Sequence, residues 1–562
     1  MRWSMACTAR WIFGALASVL LAVRVAAPQS VSRAARPVSS PADRPAEDTI
    51  GERLFLDTRF AQFFAAHMTD VNEPLAQGDP AVATVPTLTG ELGGPFAGES
   101  VNCRSCHFVA EFLGEAGGGN RTYADFARRS RLPRPQNGFT HTPRNAMQMV
   151  GSVDHRNGPS VLHSDGEFAN AADLVKSTIT GRNFGWAPEQ YREAIAHIAR
   201  VIRGDDGSSE IAKESTELFS YGQLFLAADP QIPPDLRIPR VDRMDVKKAT
   251  NQQILALVAK CIALYMEGLR FQQDAAGGYI GSPYDLFLKI NLLPNQLHAG
   301  ETPAKYARRL RTQLEALRAP KWVDDTHGQF RYHAQPFKFG PTEFAGLLTF
   351  LRASGGPKPR SAGNCAACHP PPRFTDFAFH NTGISQEEYD GVHGDGSFVK
   401  LEIPGLRERA QHYDLYLPQT RIHPSASERL RHEAVASHPE YADLGLWNVY
   451  LNPDMPAPQP KLRSILCGRA VGCADEETLR KTLACFRTPT LRDLEDSDPY
   501  FHNGSQARLE NAVEFYLRAS RLAQGGKLRN PPREFQAMSF TQSDVDPLVA
   551  FLVSLTENYD DK

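Results

Sequence analysis

Two pentapeptides of the form Cys-x-x-Cys-His constrain this chain of 562 residues more than any other feature. They read CRSCH at 103–107 and CAACH at 365–369. Two thiols at this spacing can form thioether bonds with both vinyl groups of one haem, and the adjacent imidazole can then ligate the iron. The sequence therefore predicts two covalently bound c-type haems. The attachment and proximal residues are Cys103, Cys106 and His107 for haem one, and Cys365, Cys368 and His369 for haem two.

The same cysteine spacing also occurs in disulfides and in tetrahedral zinc sites, which are the alternatives. Neither motif is followed by a second close Cys-x-x-Cys or by His-x-x-x-His, and this disfavours zinc. Among the other cysteines, Cys467 and Cys473 are close enough in sequence to form a disulfide that braces a loop. Cys261 lies in an apolar helical pattern, which predicts a small buried side chain.

The amino terminus has the pattern of an export signal. Two arginines precede the apolar run WIFGALASVLLAV, and small residues follow it. The pattern predicts a signal peptide at 1–27 and a flexible leader at 28–47. The run is shorter than the roughly 20 residues that span a bilayer, so we expect an exported protein with no membrane span after processing. An uncleaved anchor is the alternative.

The charge balance excludes one class of partner. Lys and Arg total 62 while Asp and Glu total 64, which gives a formal net charge of -2. A chain so close to neutrality gives no reason to expect a nucleic acid or an anionic membrane as its partner. Any docking face for another protein must therefore be local.

Apolar residues recur at three-and-four spacing in five segments, which predicts short helices joined by Gly- and Pro-rich loops. The expected fold class is mainly α, with two cytochrome c-like haem domains, long loops and a helical insertion. The five segments are ANAADLVKSTI, APEQYREAIAHIARVIR, NQQILALVAKCIALYMEGLRF, TPAKYARRLRTQLEALR and PTEFAGLLTFLRAS. The predicted domains are 48–245 for the N-terminal haem domain, 246–339 for a helical linker and insertion, and 340–562 for the C-terminal haem domain.

Several stretches outside the two motifs resemble the bacterial di-haem cytochrome c peroxidase and MauG family, in the same order along most of the mature chain. The most specific is FRTPTLRDLEDSDPYFHNGSQARLENAVEFY. The others are IGERLFLDTRF, SPYDLFL, GNCAACHPPPRFTDFAFHNTGI and LVAFLVSLT. The resemblance implies a periplasmic oxidoreductase in which two haems exchange electrons.

The resemblance also implies a distal ligand for haem two. In the family this ligand follows the His of the YFH motif by 14 residues, as Met in the peroxidases and Tyr in MauG-like members; here the two positions are His502 and Tyr516. His502 is expected beside haem two. A thioether stabilises ferrous iron, whereas a phenolate favours the oxidised forms, so Tyr516 predicts a haem that stores oxidising equivalents. The alternative is a core residue, because Leu509, Val513 and Tyr516 share one helical face.

The expected pocket of haem one departs from the family. Asp165 and Gly166 match the family's Asp-Gly pair, but Ser164, Leu174 and Phe184 replace its Trp, Gln and Glu. Leu and Phe cannot move the proton that heterolytic O–O cleavage requires, which puts peroxidase activity in question. The candidate substitutes for proton transfer are His163, Glu167 and Asp173, and the full set of predicted catalytic residues is His107, His163, Asp173 and Tyr516.

The family carries a calcium between its domains, and the equivalent positions here are Ser497, the carbonyl of Pro499, and His141. Oxygen donors suit calcium and an imidazole does not, so one calcium is only an optional addition to the two haems. Two insertions, one of roughly 40 residues between LFLDTRF and VNCRSCH and one around 289–338, are expected to reshape access to haem one.

These features predict an oxidoreductase in which haem one, five-coordinate behind His107, reduces hydrogen peroxide or another oxidant. Haem two, held between His369 and Tyr516, would pass electrons from a small soluble cytochrome c or cupredoxin, or from an oxidised protein or organic substrate. One alternative is an electron carrier in which His163 or Met147 caps haem one. The other is a haem-dependent oxygenase, favoured by the apolar substitutions. In the comparison with the family, Trp186 is the candidate replacement for the missing inter-haem aromatic residue.

Overall fold

Helices dominate the described part of the chain, which confirms the predicted mainly α fold. The computed structural model describes residues 45–73, 84–87, 90–93, 102–103, 106–107, 144–153, 161–330, 333, 335–354, 361–468, 473–495 and 497–557. The signal peptide predicted at 1–27 lies outside these residues. Of the leader predicted at 28–47, the last two residues already belong to the first helix.

The α-helices of the described residues fall into two groups along the chain. The first group is α1 (Ala46–Leu56), α2 (Gln62–His67), α3 (Ala171–Ile179), α4 (Tyr191–Gly204), α5 (Glu210–Thr216), α6 (Tyr221–Leu226), α7 (Asn251–Gly268), α8 (Pro283–Ile290) and α9 (Pro303–Ala316). The second group is α10 (Pro341–Leu351), α11 (Ile384–His393), α12 (Ser397–Lys400), α13 (Leu406–Gln411), α14 (Tyr413–Tyr416), α15 (Gln459–Cys467), α16 (Asp475–Lys481), α17 (Leu509–Gln524) and α18 (Val545–Val553). Within the described ranges, no helix combines the length and apolarity needed to cross a bilayer.

Short 3-10 helices and two small antiparallel sheets complete the secondary structure of these ranges. The 3-10 helices are Thr58–Phe60, Arg182–Phe184, Pro188–Gln190, Pro234–Leu236, Arg240–Asp242, Cys365–Ala367, Leu446–Asn448, Arg533–Ala537 and Gln542–Asp544. One sheet pairs β1 (Thr84–Thr87) with β2 (Gly90–Gly93), and the other pairs β3 (Phe379–His380) with β4 (Phe486–Arg487). The second sheet brings together the two ends of the long segment 384–485.

The first hydrophobic cluster is built around the packing of α1 against α7. Gly51 of α1 lies at the contact, where a Cβ atom would overlap the carbonyl oxygen of Cys261, so the two backbones approach as only glycine permits. Cys261 is fully buried, as predicted. Helix α7 begins at a capping box formed by Thr250 and Gln253. The predicted linker 246–339 thus contains a helix that packs on α1, while the domain boundaries themselves stay a prediction.

The second hydrophobic cluster repeats this construction around α10 and α18. Gly346 of α10 lies where a Cβ atom would overlap the carbonyl oxygen of Pro547 in α18. Helix α9, which lies in the predicted insertion around 289–338, contributes Tyr306 and Leu310 to this cluster. Each half of the chain therefore has a long-range helix pair whose backbones touch at a glycine.

A third hydrophobic cluster belongs almost entirely to the segment 384–485, together with Val161 and Phe379. Trp447 and Tyr450 are among its fully buried members. The disulfide predicted between Cys467 and Cys473 is present at the end of α15. The segment forms a wall of the candidate site, which the sequence reading did not anticipate.

Candidate functional site

Both Cys-x-x-Cys-His motifs adopt the same tight turn. In the first motif, the backbone N–H groups of Cys106 and His107 donate to the carbonyl oxygen of Cys103, at N···O distances of 3.2 and 3.0 Å. In the second, the N–H groups of Cys368 and His369 donate to the carbonyl oxygen of Cys365 at 3.2 and 2.8 Å. One turn thus places two thiols and an imidazole close together, as covalent haem attachment requires.

All four thiols of the motifs are free cysteines in the structure, so neither pair is a disulfide. Burial, together with the neighbouring thiol of each pair, raises the pKa of Cys103 and of Cys365 to about 12. The thiols of Cys103 and Cys365 are therefore protonated at neutral pH. The side chain of Asn102 holds the first turn in place by donating to the carbonyl oxygen of Leu56 at 2.7 Å.

His369 is oriented as an iron ligand. Its Nδ1 lies 3.0 Å from the carbonyl oxygen of Phe374, and since a carbonyl only accepts, Nδ1 carries the proton. Burial lowers the pKa of His369, which keeps the ring neutral. Nε2 is then the nitrogen that would bind iron, and a backbone acceptor on the other ring nitrogen is the usual arrangement around metal-bound histidines. The second motif fits haem.

Tyr516 lies on α17 beside the second motif. Burial raises the pKa of its phenol, and the charges of Cys368 and Cys365 raise it further, so the oxygen is near both attachment thiols. Its ring also packs edge-on against Phe501 and Phe535, at centroid distances of 5.9 and 6.1 Å. The geometry is therefore compatible with both predicted roles, a ligand to haem two and a member of the core.

His502 lies at the contact between the two halves of the chain. Its ring stacks on Phe486 with centroids 3.5 Å apart and planes 13° apart. Its carbonyl oxygen accepts a hydrogen bond of 2.6 Å from the N–H of Asn145. The charge of His502 also helps to lower the pKa of Asp443. The predicted role of His502 beside haem two remains a prediction.

A cavity of about 670 Å³ adjoins the first motif. This volume lies within the usual range for small-molecule and cofactor sites. The cavity is lined by the attachment turn, by the segments 144–153 and 162–191, and by residues of the distant segment 384–485. The lining residues whose side chains could take part in chemistry are Cys103, Cys106, His107, Met147, His163, Glu167, Asp173, Arg431 and Arg487. The first motif therefore also has the space and the donor atoms that haem needs.

A short loop presents two of these groups to the cavity. Leu162 and Phe168 pair through two backbone hydrogen bonds of 2.7 and 3.3 Å, and the loop between them turns at Gly166. His163 has a positive φ of 67° within this loop. Its Nδ1 lies 3.3 Å from Oε2 of Glu167. We call residues 162–168 the pocket loop.

The pocket loop is anchored by buried ion pairs. Arg144 bonds Asp165 and also donates to both carboxylate oxygens of Asp443, at 2.6 and 2.7 Å. Arg431 bonds Glu167 at 2.5 Å and Asp165 at 3.0 Å. Burial alone would raise the pKa of both loop carboxylates. Arg144 and Arg431 instead hold the pKa of Asp165 well below its usual range, and Arg431 together with His163 lowers the pKa of Glu167. Glu167 is therefore ionised.

The other wall of the cavity is largely apolar. Leu174 and Phe184 line it at the positions that the sequence comparison assigned to the family's Gln and Glu. Trp186 is buried in the first cluster and donates from its indole N–H to the carbonyl oxygen of Phe60 at 3.0 Å. Asp173 is at the rim, with its side chain 44% exposed and bound to Lys176. Of the predicted proton-transfer residues, Glu167 is the most enclosed.

The residues proposed for calcium lie around Pro499. The side-chain N–H of Asn145 donates to the carbonyl oxygen of Pro499 at 2.6 Å. The Oδ1 atom of Asn145 is buried and has no hydrogen-bond partner among the residues described. Ser497 instead bonds the carbonyl oxygen of Asp493. His141 lies outside the described residues. Asn145 was missed from the sequence, although it offers the oxygen donor that a histidine does not.

Cytochrome c peroxidases are similar to parts of this chain. No protein-family profile matches it. A stretch of 76 residues, 14% of the chain, is 34% identical to cytochrome-c peroxidase IdrP1 of Denitromonas iodatirespirans and covers 19% of that protein. A stretch of 199 residues, 34% of the chain, is 26% identical to cytochrome-c peroxidase IdrP2 of the same organism and covers 36% of it. The chain thus spans well under half the length of these curated relatives.

Solved structures of two proteins were also compared with the chain. The diheme peroxidase BthA from Burkholderia thailandensis E264 is 16% identical, with a TM-score of 0.41, over 94% of this chain and 92% of that one. A MauG-like protein associated with microbial copper homeostasis is 15% identical, with a TM-score of 0.39, over 95% of each chain.

Proposed function

Because the chain is similar to the di-haem cytochrome c peroxidases and MauG-like proteins, we propose that it is a di-haem c-type oxidoreductase of the periplasm. Hydrogen peroxide is the proposed oxidant. Its reduction consumes two electrons and two protons and yields two molecules of water. The electrons come one at a time from a small soluble reduced cytochrome c or cupredoxin, or from a protein or organic substrate that is oxidised in the reaction. The signal peptide at 1–27 would direct export.

The observation that carries this proposal is that both Cys-x-x-Cys-His motifs adopt the same attachment turn and that a cavity of about 670 Å³ adjoins the first of them. Haem would supply the redox chemistry when it is bound through Cys103 and Cys106 with His107, and through Cys365 and Cys368 with His369. The cavity at the first turn supports oxidant binding at that site, and electron transfer is assigned to the second.

The chain's own residues supply proton transfer in the cavity. Glu167 is ionised, faces the cavity and is held by Arg431, so it can take a proton from a bound oxidant and return it to the departing oxygen. His163, 3.3 Å from Glu167, would orient that carboxylate. The apolar wall formed by Leu174 and Phe184 excludes competing water. Glu167 thus takes the place of the acidic residue that Phe184 replaces.

At the second site, we assign Tyr516 as the residue that would hold the iron of haem two together with His369. The support is that Tyr516 and Cys365 pack against the same hydrophobic cluster and that both attachment cysteines act on the pKa of the phenol. Binding iron requires the phenolate, and the buried phenol would lose its proton only when a cation replaces it. A phenolate would favour the oxidised state of haem two. We keep the role of His502 beside haem two, as the resemblance implies.

A calcium between the two halves forms part of this proposal, with Asn145 in place of His141. Rotation of the Asn145 amide would turn Oδ1 toward the carbonyl oxygen of Pro499, and both are oxygen donors of the kind calcium prefers. Calcium added to chelator-treated protein should raise its melting temperature, and Asn145→Leu should abolish that rise. No rise in the wild type would remove calcium from the proposal.

The test of the function uses protein matured in an exporting host that attaches haem. Mass spectrometry should show two added haem masses, and the oxidised protein should show a high-spin ferric signal from an open haem one. Peroxide should then be consumed with reduced cytochrome c as donor. A protein with two haems, a high-spin signal and no turnover with any donor or organic substrate would overturn the peroxidase and oxygenase assignments together.

An electron carrier is the second candidate, because His163 and Met147 both line the cavity at the first motif. Either could cap the iron and close the site. The oxidised spectrum would then contain only low-spin signals. His163→Ala and Met147→Ala variants would each be compared with the wild type, since removal of a true cap creates a high-spin signal.

A further inference from the structure

Arg487 is a buried cation that pairs with no carboxylate in the part of the chain that the structure describes. Its side chain is 4% exposed, and Nη2 donates to the carbonyl oxygen of Ser152 at 2.8 Å. The guanidinium also lies over the ring of Phe377, 4.8 Å from the centroid. Its Nε is buried and has no hydrogen-bond partner among the described residues. A carbonyl and an aromatic face satisfy part of the group, but neither carries a full negative charge.

The other arginines buried near the two sites are all paired with carboxylates. Arg144 bonds Asp165 and Asp443, Arg431 bonds Glu167, and Arg492 bonds Asp285. Their pKa values are raised by these partners. The pKa of Arg487 is shifted by burial alone, which lowers it to about 10.

An ionised group left unpaired in the interior is costly. Arg409 is likewise bonded only to carbonyl oxygens among the described residues, but Arg487 differs from it in lining a cavity that can admit a partner.

The position of Arg487 indicates where that partner comes from. Arg487 lines the same cavity as His107 and both attachment cysteines of the first motif. It lies on β4, and its backbone N–H donates to the carbonyl oxygen of Ser164 in the pocket loop at 2.7 Å. The side chain is therefore fixed from the C-terminal half of the chain against the wall of the first site.

We propose that Arg487 binds a propionate carboxylate of haem one. The carboxylate supplies the missing negative charge and accepts from the free Nε, while the planar guanidinium suits a two-oxygen acceptor. This inference rests on the proposed attachment of haem at Cys103 and Cys106. It assigns Arg487 a positioning role, since the group acts on the cofactor's edge and not on the oxidant.

The pairing has a measurable consequence for the first site. A positive charge that neutralises the propionate makes reduction of the nearby iron more favourable. Arg487→Gln should therefore lower the reduction equilibrium constant of haem one at least tenfold, which equals 59 mV for one electron. Arg487→Lys keeps the charge and should change that constant less than threefold.

The matched control is Arg409→Gln. Arg409 is equally buried, donates to the carbonyl oxygens of Trp447 and Tyr450, and is not among the cavity-lining residues. All variants and the wild type would be titrated potentiometrically in chloride buffer, after haem content is counted by mass. Arg409→Gln should leave the reduction equilibrium constant of haem one unchanged. A shift in Arg487→Gln no larger than that of Arg409→Gln would overturn the inference.

Two further measurements separate other outcomes. Wild-type protein without haem at the first motif would refute the proposed function, whereas two attached haems with no effect of Arg487→Gln would refute only the role of Arg487. If Arg487→Gln does not fold, resonance Raman spectra of Arg487→Lys should still show a shifted propionate bending band, and an unshifted band would overturn the inference. A wild-type potential that responds to added acetate would assign Arg487 to a free carboxylate instead.

Discussion

The guanidinium of Arg431 lies 2.5 Å from the carboxylate of Glu167, although the two residues belong to opposite halves of the chain. The pair places an ionised carboxylate on the wall of the cavity at the first motif. Because Arg431 also bonds Asp165, one side chain fixes both carboxylates of the pocket loop. The chemistry assigned to the first site therefore depends on a contact between distant parts of the sequence.

Replacing Glu167 tests its role in proton transfer. Glu167→Gln should reduce peroxide turnover by roughly 100-fold, because general acid–base groups typically contribute two to four orders of magnitude. Haem content and the high-spin signal should not change. Asp173→Asn is the control at the same cavity, and since that carboxylate is largely exposed, turnover should fall less than threefold. A larger loss of turnover in Asp173→Asn than in Glu167→Gln would assign proton transfer to Asp173.

Arg144 tests the buried ion pairs under the pocket loop. The carboxylates of Asp165 and Asp443 have pKa values held below the usual range, so their stabilisation is complete above about pH 4. This stabilisation is lost as the pH falls through the lowered pKa values of the two carboxylates. Arg144→Met should cost about 3 to 5 kcal/mol at neutral pH. Its acid-unfolding midpoint should move to higher pH, because the unpaired carboxylates protonate earlier.

The control for Arg144 is Arg508→Met, since Arg508 forms an exposed pair with Glu510. Urea unfolding followed by circular dichroism at several pH values would measure both variants. Arg508→Met should leave the acid midpoint in place. Equal midpoints for Arg144→Met and the wild type would show that the buried pairs do not set the acid limit.

Tyr516 is tested by two substitutions that separate its oxygen from its ring. Tyr516→Phe keeps the aromatic packing on Phe501 and Phe535 but should remove the phenolate-to-iron absorption of haem two. Tyr516→Met should raise the reduction potential of that haem, because a thioether stabilises ferrous iron. Tyr450→Phe alters a buried tyrosine of the third cluster and should change neither property. Unchanged spectra and potentials in both Tyr516 variants would assign the residue to the core.

The glycine contact between α10 and α18 can be tested by adding one methyl group. Gly346→Ala should destabilise the protein by about 1 to 3 kcal/mol, because the new Cβ overlaps the backbone at Pro547. Gly391 in α11 is the control, since nothing lies within 4 Å of the equivalent position. Gly391→Ala should stabilise by roughly 0.5 to 1 kcal/mol through helix propensity. Thermal unfolding would compare the two variants with the wild type. Equal destabilisation by Gly346→Ala and Gly391→Ala would argue against a close contact between α10 and α18.

Local patterns predicted most of what the structure shows near each motif. The spacing of Cys365, Cys368 and His369 fixes a turn that needs no distant residue, and the Cys467–Cys473 bridge is likewise local. The periodicity of the α7 segment identified a buried helix, but it could not indicate that the helix packs on α1.

The missed features depend on contacts between distant segments. Glu167 was one of three substitutes considered from the sequence and was left out of the predicted catalytic set. Its selection here depends on Arg431, which no local pattern connects to it. Asn145 was missed for the same reason, since its partner is the carbonyl of Pro499. An alignment without gaps placed Phe184 where an acid was expected, and could not show that the loop before α3 already supplied one.

The wall that the segment 384–485 adds to the first cavity has a consequence for biogenesis. In the proposed export, the CRSCH turn leaves the ribosome and crosses the membrane long before Arg431 and Arg487 do. A haem joined to that turn during export would meet solvent on one side until the C-terminal half arrives. Maturation of the first centre should therefore finish last, and chains truncated ahead of residue 384 should carry a haem whose iron is open to any small ligand in the surrounding medium.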